Sequence, residues 1–141
     1  MNSQEELLNR RLRSLTRTAP FVMAVAMLCI SVEVAAQTFR SAPASAAEMK
    51  NPYAGDAQAA AGGKKLYAQN CAQCHGNNLQ GMGPAPSLIS SSTRNAKPGE
   101  IFWFITNGNL NNGMPGWSQL PKQQRWQIVS FIESKNTVAG Q

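Results

Sequence analysis

Cys71, Cys74 and His75 are contained in Cys71-Ala72-Gln73-Cys74-His75, and nothing else in the chain constrains its fold as tightly. The preceding segment, Ala57 to Asn70, is rich in Ala, Lys, Gln and Leu and lacks proline. That composition predicts a helix, and Asp56 is placed to cap it. If the helix runs into the cysteines, positions i, i+3 and i+4 fall on about one face. Two thiols and one imidazole are then presented together, and the rest of the chain must fold around whatever they hold.

Three ordinary uses of a close cysteine pair fit poorly. A thioredoxin-like redox pair needs a strand–helix–strand setting, and none surrounds this one. A zinc site needs four ligands, yet His75 is the sole histidine and carboxylates are sparse. A structural disulfide has no need of the adjacent imidazole. Two thiols that add to the two vinyl groups of one haem, with the imidazole reaching its iron, use all three residues. The spacing therefore predicts one covalently bound haem c on Cys71 and Cys74, with His75 as the proximal iron ligand.

The N-terminus predicts export. Arg10, Arg11, Arg13 and Arg17 precede an apolar stretch, Phe21 to Val32, which Val34-Ala35-Ala36 follows. A basic region, a short apolar core and a small-residue site make a signal peptide, residues 1–36, with cleavage expected after Ala36 and Ala47 as a second site. The apolar stretch is shorter than the about 20 residues of a spanning helix. An uncleaved, membrane-tethering segment is the alternative. The third cysteine, Cys29, falls in the removed segment. Residues 37–56, rich in Ala, Ser and Pro, read as a flexible linker. A domain over 57–137 and a tail over 138–141 complete the chain.

A haem iron with one histidine has a second axial position, and its occupant separates an electron carrier from a gas binder or peroxidase. After His75 only Met82 and Met114 are available. Met82 is too close in sequence to reach the opposite face. Met114 follows an intervening helix and sits in Asn111-Asn112-Gly113-Met114-Pro115-Gly116-Trp117, a composition suited to a shaped loop. The competing reading is that Met114 fills a core gap. Trp117 is expected to pack near the haem.

These residues resemble class I cytochromes c. Gly63-Lys64-Lys65-Leu66-Tyr67 before the haem motif is similar to the family's first helix, with its glycine and aromatic. Pro86-Ser87-Leu88 is similar to its Pro-x-Leu, and Ile128, Phe131 and Ile132 to its last helix. The resemblance covers about residues 57 to 135. It implies that the Pro86 carbonyl accepts a hydrogen bond from His75, that Tyr67 and Leu88 pack at the haem, and that Met114 is the distal ligand. Phe131 stands where the family often has tyrosine.

The expected fold is all-α, a small class I cytochrome c fold with three to four main helices around the haem. Pro98 opens a second helix through Ile101, Phe102, Trp103, Phe104 and Ile105, with Gly108 as its stop; a buried strand is the alternative for that apolar run. Leu120-Pro121-Lys122 starts the last helix, whose apolar face holds Trp126, Ile128, Val129, Phe131 and Ile132.

The expected activity is single-electron transfer in the periplasm, without catalysis, by a monomer working between a dehydrogenase as donor and an oxidase or other cytochrome as acceptor. Alternatives are a peroxidase or gas sensor with an open distal site, or a dedicated cytochrome subunit of one dehydrogenase complex. The chain carries a formal net charge of +6, which favours an acidic docking partner, with Lys64 and Lys65 as candidate contacts. No basic run with interleaved aromatics points to nucleic acid.

Overall fold

The computed structural model describes residues 41–138. The expected leader with Cys29, and the last residues of the tail, lie outside them. Among the described residues the fold is helical, with only two isolated β-bridges. Its helices are α1 (Ala44–Ala47), α2 (Ala57–Asn70), α3 (Ala72–His75), α4 (Ser91–Asn95), α5 (Pro98–Asn107) and α6 (Lys122–Val138). A 3-10 turn, Leu110–Asn112, lies between α5 and α6. No described helix is long and apolar enough to cross a membrane.

Each main helix begins and ends for a local reason. The Asp56 carboxylate accepts from the N–H groups of Gln58 and Ala59 at 2.8 and 3.0 Å, which caps α2 and contributes about 1 kcal/mol. Pro98 sits in the first turn of α5, and the Glu100 carboxylate reaches back to the Lys97 N–H at 2.7 Å. Gly108, at φ 73°, ends the helix. The run Ile101 to Ile105 is thus helical and not a strand. A stop and a start one helix-length apart outweigh the β-propensity of its aromatics.

α2 and α6 make the most extensive helix–helix contact. Tyr67 and Phe131 meet across it with ring centroids 5.3 Å apart and planes at 52°. Gly63 sets their approach, because a Cβ there would run into the carbonyl oxygen and carbon of Gln127. Gly62 differs: a Cβ there would first meet the far end of the Gln127 side chain, at 3.4 Å. α5 joins α6 through Phe102, stacked on Trp126 at 4.1 Å, with the Arg125 guanidinium 5.0 Å above the Phe102 ring.

Within the expected flexible linker, 37–56, the residues from Ala44 onward are packed against the domain. Ala46 is buried, and its carbonyl lies where a side chain on Gly99 would be. The buried Asn51 amide donates to Ser130 Oγ at 2.9 Å and to the Glu133 carboxylate at 2.7 Å, and Ser130 Oγ donates to the Tyr53 carbonyl at 3.3 Å. Residues 44–56 therefore strap across α5 and α6. Alanines that read as linker composition are small enough for close backbone approach to a glycine, a match that only the partner reveals.

The two adjacent glycines of α2 separate helix propensity from packing. Gly63→Ala should lower stability by about 3 kcal/mol, since backbone must move. Gly62→Ala should be neutral or stabilising by up to about 1 kcal/mol. Thermal melts of the two haem-loaded variants check the contrast, and equal effects would show that the crossing does not depend on Gly63.

Candidate haem site

α2 does not run unbroken into the cysteines. Cys71, at φ −122° and ψ −31°, breaks the helix, and α3 starts on the next residue. Hydrogen bonds carry the geometry across the break. The Cys71 N–H donates to the Tyr67 carbonyl at 2.8 Å and the His75 N–H to the Cys71 carbonyl at 2.9 Å. Residues 71 and 75 thus keep their i, i+4 relation. Cys71 is half-buried, Cys74 exposed and His75 buried.

Beneath them lies an almost wholly apolar cavity of about 720 Å3, counting its open mouth. Cys71 and His75 form one part of its wall, and Pro86, Leu88 and Thr93 another. α5 contributes Ile101, Phe104 and Ile105; α6 contributes Ile128 and Ile132. Tyr67 lies at the α2 side, and Asn109, Asn112 and Met114 close the wall from the loop after α5. The fold thus brings Tyr67, Cys71, His75, Pro86, Leu88 and Met114 to one cavity. Cys74 and Met82 are not in its wall. Trp117 is not in the wall either; its backbone N–H is bound to the Ile105 carbonyl at 2.8 Å and it packs against the core that holds Ile105.

His75 is oriented by one hydrogen bond. Its Nδ1 lies 2.9 Å from the Pro86 carbonyl oxygen. A carbonyl only accepts, so Nδ1 carries the proton and Nε2 keeps its lone pair. The loop supplying Pro86 folds back on itself: the Gly81 N–H donates to the His75 carbonyl at 2.9 Å and the Leu88 N–H to the Leu79 carbonyl at 2.8 Å. Gly81, at φ 80°, has no room for a Cβ, which would meet the Ala85 carbonyl oxygen at 2.6 Å. Leu79 takes φ 61° although it has a side chain, and burying that side chain completely offsets the strain.

Met114 is held with similar tightness. Its N–H and carbonyl pair with the carbonyl and N–H of Asn109 at 3.0 and 2.8 Å. Gly113, at φ 78°, turns the chain between them. Gly108 must be glycine, because a Cβ would lie 2.6 Å from the Met114 carbonyl oxygen.

Sequence reasoning missed Thr93, Asn109 and Asn112. Buried Thr93 donates from Oγ1 to the Ser87 carbonyl at 3.2 Å, beside Pro86. Nothing in the run Ser90-Ser91-Ser92-Thr93 marks which hydroxyl turns inward. The two asparagines precede Met114 in the same loop and contribute to the wall.

A family profile described as "Cytochrome C oxidase, cbb3-type, subunit III" matches residues 58–132. The chain belongs to this family of cytochrome c domains. It is 37% identical over 71 residues to the cbb3-type cytochrome c oxidase subunit CcoP of Azospirillum brasilense, covering 45% of this chain and 24% of that protein. It is 36% identical over 92 residues to cytochrome c550 of Pseudomonas aeruginosa, covering 60% of this chain and 61% of that protein. The chain thus spans about a quarter and about three-fifths of these relatives. As a member of the family it is an electron-transfer cytochrome with covalently bound haem c. The cavity suits that group: its walls are apolar, and an imidazole held through Nδ1 shares the space with a thioether.

Tyr67 closes the site from behind. Its hydroxyl donates to the Gly76 carbonyl at 2.6 Å. Burial, and to a smaller extent the neighbouring Cys71 thiol, pushes its pKa up to about 12. The folded value is above the unfolded one near 10, so the stability Tyr67 contributes is full below pH 10 and is lost as pH rises through 12. Tyr67→Phe should lower stability by about 1 kcal/mol near neutral pH, because it removes one of the two hydrogen bonds that the Gly76 carbonyl accepts, the other coming from the Leu79 N–H at 3.2 Å. It should also flatten the decline above pH 10. Denaturant titrations of haem-loaded protein at pH 7 and pH 11 check both.

Proposed function

We propose that Cys71 and Cys74 hold the haem through two thioether bonds, that His75 and Met114 are its axial ligands, and that the exported protein carries single electrons between redox partners. The observation that carries this reading is the fixed His75 tautomer in a cavity that Met114 shares. The haem iron supplies a one-electron couple. The chain's own residues do the rest. The Pro86 carbonyl keeps the proton on Nδ1 and the ring in one orientation, and apolar walls exclude water. The paired Asn109–Met114 backbone holds the thioether in place, which favours transfer with little rearrangement.

If His75 and Met114 both hold the iron, no position would be left for peroxide or a gas, which argues against the enzyme and sensor readings. A dehydrogenase as donor and an oxidase or second cytochrome as acceptor are the proposed partners. The likeness to an oxidase subunit supports an acceptor of that class. It equally supports a second reading, in which this domain is built into one respiratory complex; co-purification separates the two. For location we propose the periplasm, after cleavage following Ala36. That cut keeps α1, whose Ala46 is buried against Gly99, whereas a cut after Ala47 would remove it.

The optical spectrum of the haem-loaded protein with and without Met114→Ala tests the ligand set. The oxidised wild type should show the weak long-wavelength band of methionine sulfur on ferric iron, and the variant should lose it and bind carbon monoxide. A high-spin wild type that already binds carbon monoxide would overturn the carrier reading.

A further inference from the structure

The loop that carries Met114 is closed at its base by a side chain from outside it. Arg125, in the first turn of α6, donates from Nη1 to Thr106 Oγ1 at 2.6 Å and from Nε to the Leu120 carbonyl at 3.1 Å. Thr106 stands at the C-terminal end of α5 and Leu120 just before α6. The chain between them, residues 107–119, contains Met114. A single guanidinium therefore holds the two stems of this loop together. Thr106 Oγ1 donates its own proton to the Phe102 carbonyl at 2.8 Å, so its lone pairs are free to accept from Arg125. The guanidinium also lies over the Phe102 ring, which is stacked on Trp126.

Other contacts close the same loop, and they come from the loop and its stems. The Trp117 N–H is bound to the Ile105 carbonyl at 2.8 Å. Gly116 lies so near α5 that a Cβ there would sit 2.9 Å from the Thr106 carbonyl oxygen. Arg125 differs in coming from α6, the helix whose Ile128 and Ile132 line the cavity. Those two are i+3 and i+7 from it, so clamp and wall share one helix stripe. The residue type is unfavourable for the helix itself. A cation in the first turn faces the positive end of the macrodipole, and a half-buried guanidinium loses part of its hydration. Both oxygens it holds are neutral, so neither offsets that penalty with a negative charge. What the arginine supplies is a planar fork that donates in two directions at once.

We propose that Arg125 is a positioning residue for Met114: by tying Thr106 to Leu120 it keeps the loop over 107–119 closed, and so governs how often the Met114 thioether leaves its place in the cavity. The inference rests on Met114 being the distal ligand, and adds to it the group that decides how firmly that ligand stays. Arg125 is not in the cavity wall, so it acts through the loop. The inner pairing of Asn109 with Met114 shapes the tip. That pairing does not stop the whole tip from swinging on its stems. The stems meet at Thr106 and Leu120, and charge-assisted hydrogen bonds are lost there each time they part. The share of time the loop spends open follows from that loss.

Imidazole is the probe, mixed in stopped flow with the oxidised haem-loaded protein. At high imidazole the rate of the spectral change saturates at the rate with which Met114 departs. Arg125→Gln should raise that limit roughly tenfold, since both charge-assisted hydrogen bonds go. Thr106→Val removes one of them and should raise the limit about fivefold. Combined with Arg125→Gln it should add little, because the two residues share the contact. Arg125→Lys should stay nearer to Arg125→Gln than to the unsubstituted protein, since an ammonium lacks the fork. Asn51→Ala is the control. It weakens the hold of residues 44–56 on Ser130 and Glu133 of the same helix. It should lower the melting temperature while changing the limit by less than about twofold.

Limits within about twofold of the unsubstituted value in Arg125→Gln and Thr106→Val would overturn the proposal. So would a rise in Asn51→Ala as large as theirs at equal loss of melting temperature, which would make Arg125 a stabiliser of the whole domain. Should Arg125→Gln fail to take up haem, Thr106→Val, which keeps the charge and the Leu120 bond, decides alone. Failure of the ligand reading shows separately: the unsubstituted protein would then lack the long-wavelength methionine band and bind imidazole without a limiting rate.

Discussion

The hydrogen bond from His75 Nδ1 to the Pro86 carbonyl is a single contact of 2.9 Å, yet much of the domain is arranged to keep its two ends still. On one side, α3 is tied to α2 through the Tyr67 and Cys71 carbonyls, so the imidazole inherits the rigidity of a fourteen-residue helix. On the other, the loop carrying Pro86 is gripped from several directions. Ser90 and Thr93 hydroxyls donate to the Ser87 carbonyl, and the Asn136 amide of α6 donates to the Leu88 carbonyl at 3.2 Å. A carbonyl that could swing would let the ring turn or change tautomer, and the unprotonated nitrogen would be lost from the cavity.

Polar groups at the site are few, and Tyr67, His75 and Thr93 each have a defined partner, while the walls are apolar. That division suits a centre whose two oxidation states differ by one charge. Fixed dipoles near the imidazole hold it in place, and the aliphatic and aromatic walls contribute no mobile charge of their own. Tyr67 fits the same scheme: burial keeps its hydroxyl neutral, so it acts as a donor to Gly76 and not as an anion beside the thiols.

Much of this was legible in the chain. Asp56, Pro98 and Gly108 mark helix limits by chemistry that depends on neighbours only a few residues away, and the structure places those limits where they predict. The cysteine–histidine spacing likewise rests on one helical turn. Gly63 and Pro86 were readable through the family resemblance, because their reasons lie far along the chain: a carbonyl at Gln127 for one, an imidazole at His75 for the other. What stayed hidden was information held by a partner. Ala46 reads as linker until Gly99 is opposite it. Thr93 is one hydroxyl among several until the loop it supports is in place.

The crossing at Gly63 also sets an order of events. Its counterpart, Gln127, lies in the last helix, so the contact joins the beginning of the domain to its end. α2 therefore cannot seat until the last helix is in place. Closing so large a loop is entropically the late step. Through that interval Cys71, whose thiol desolvation pushes up to about 12 in the finished fold, stays open to water. The long-range crossing thus makes the wall beside the cysteine pair one of the last parts of the domain to close.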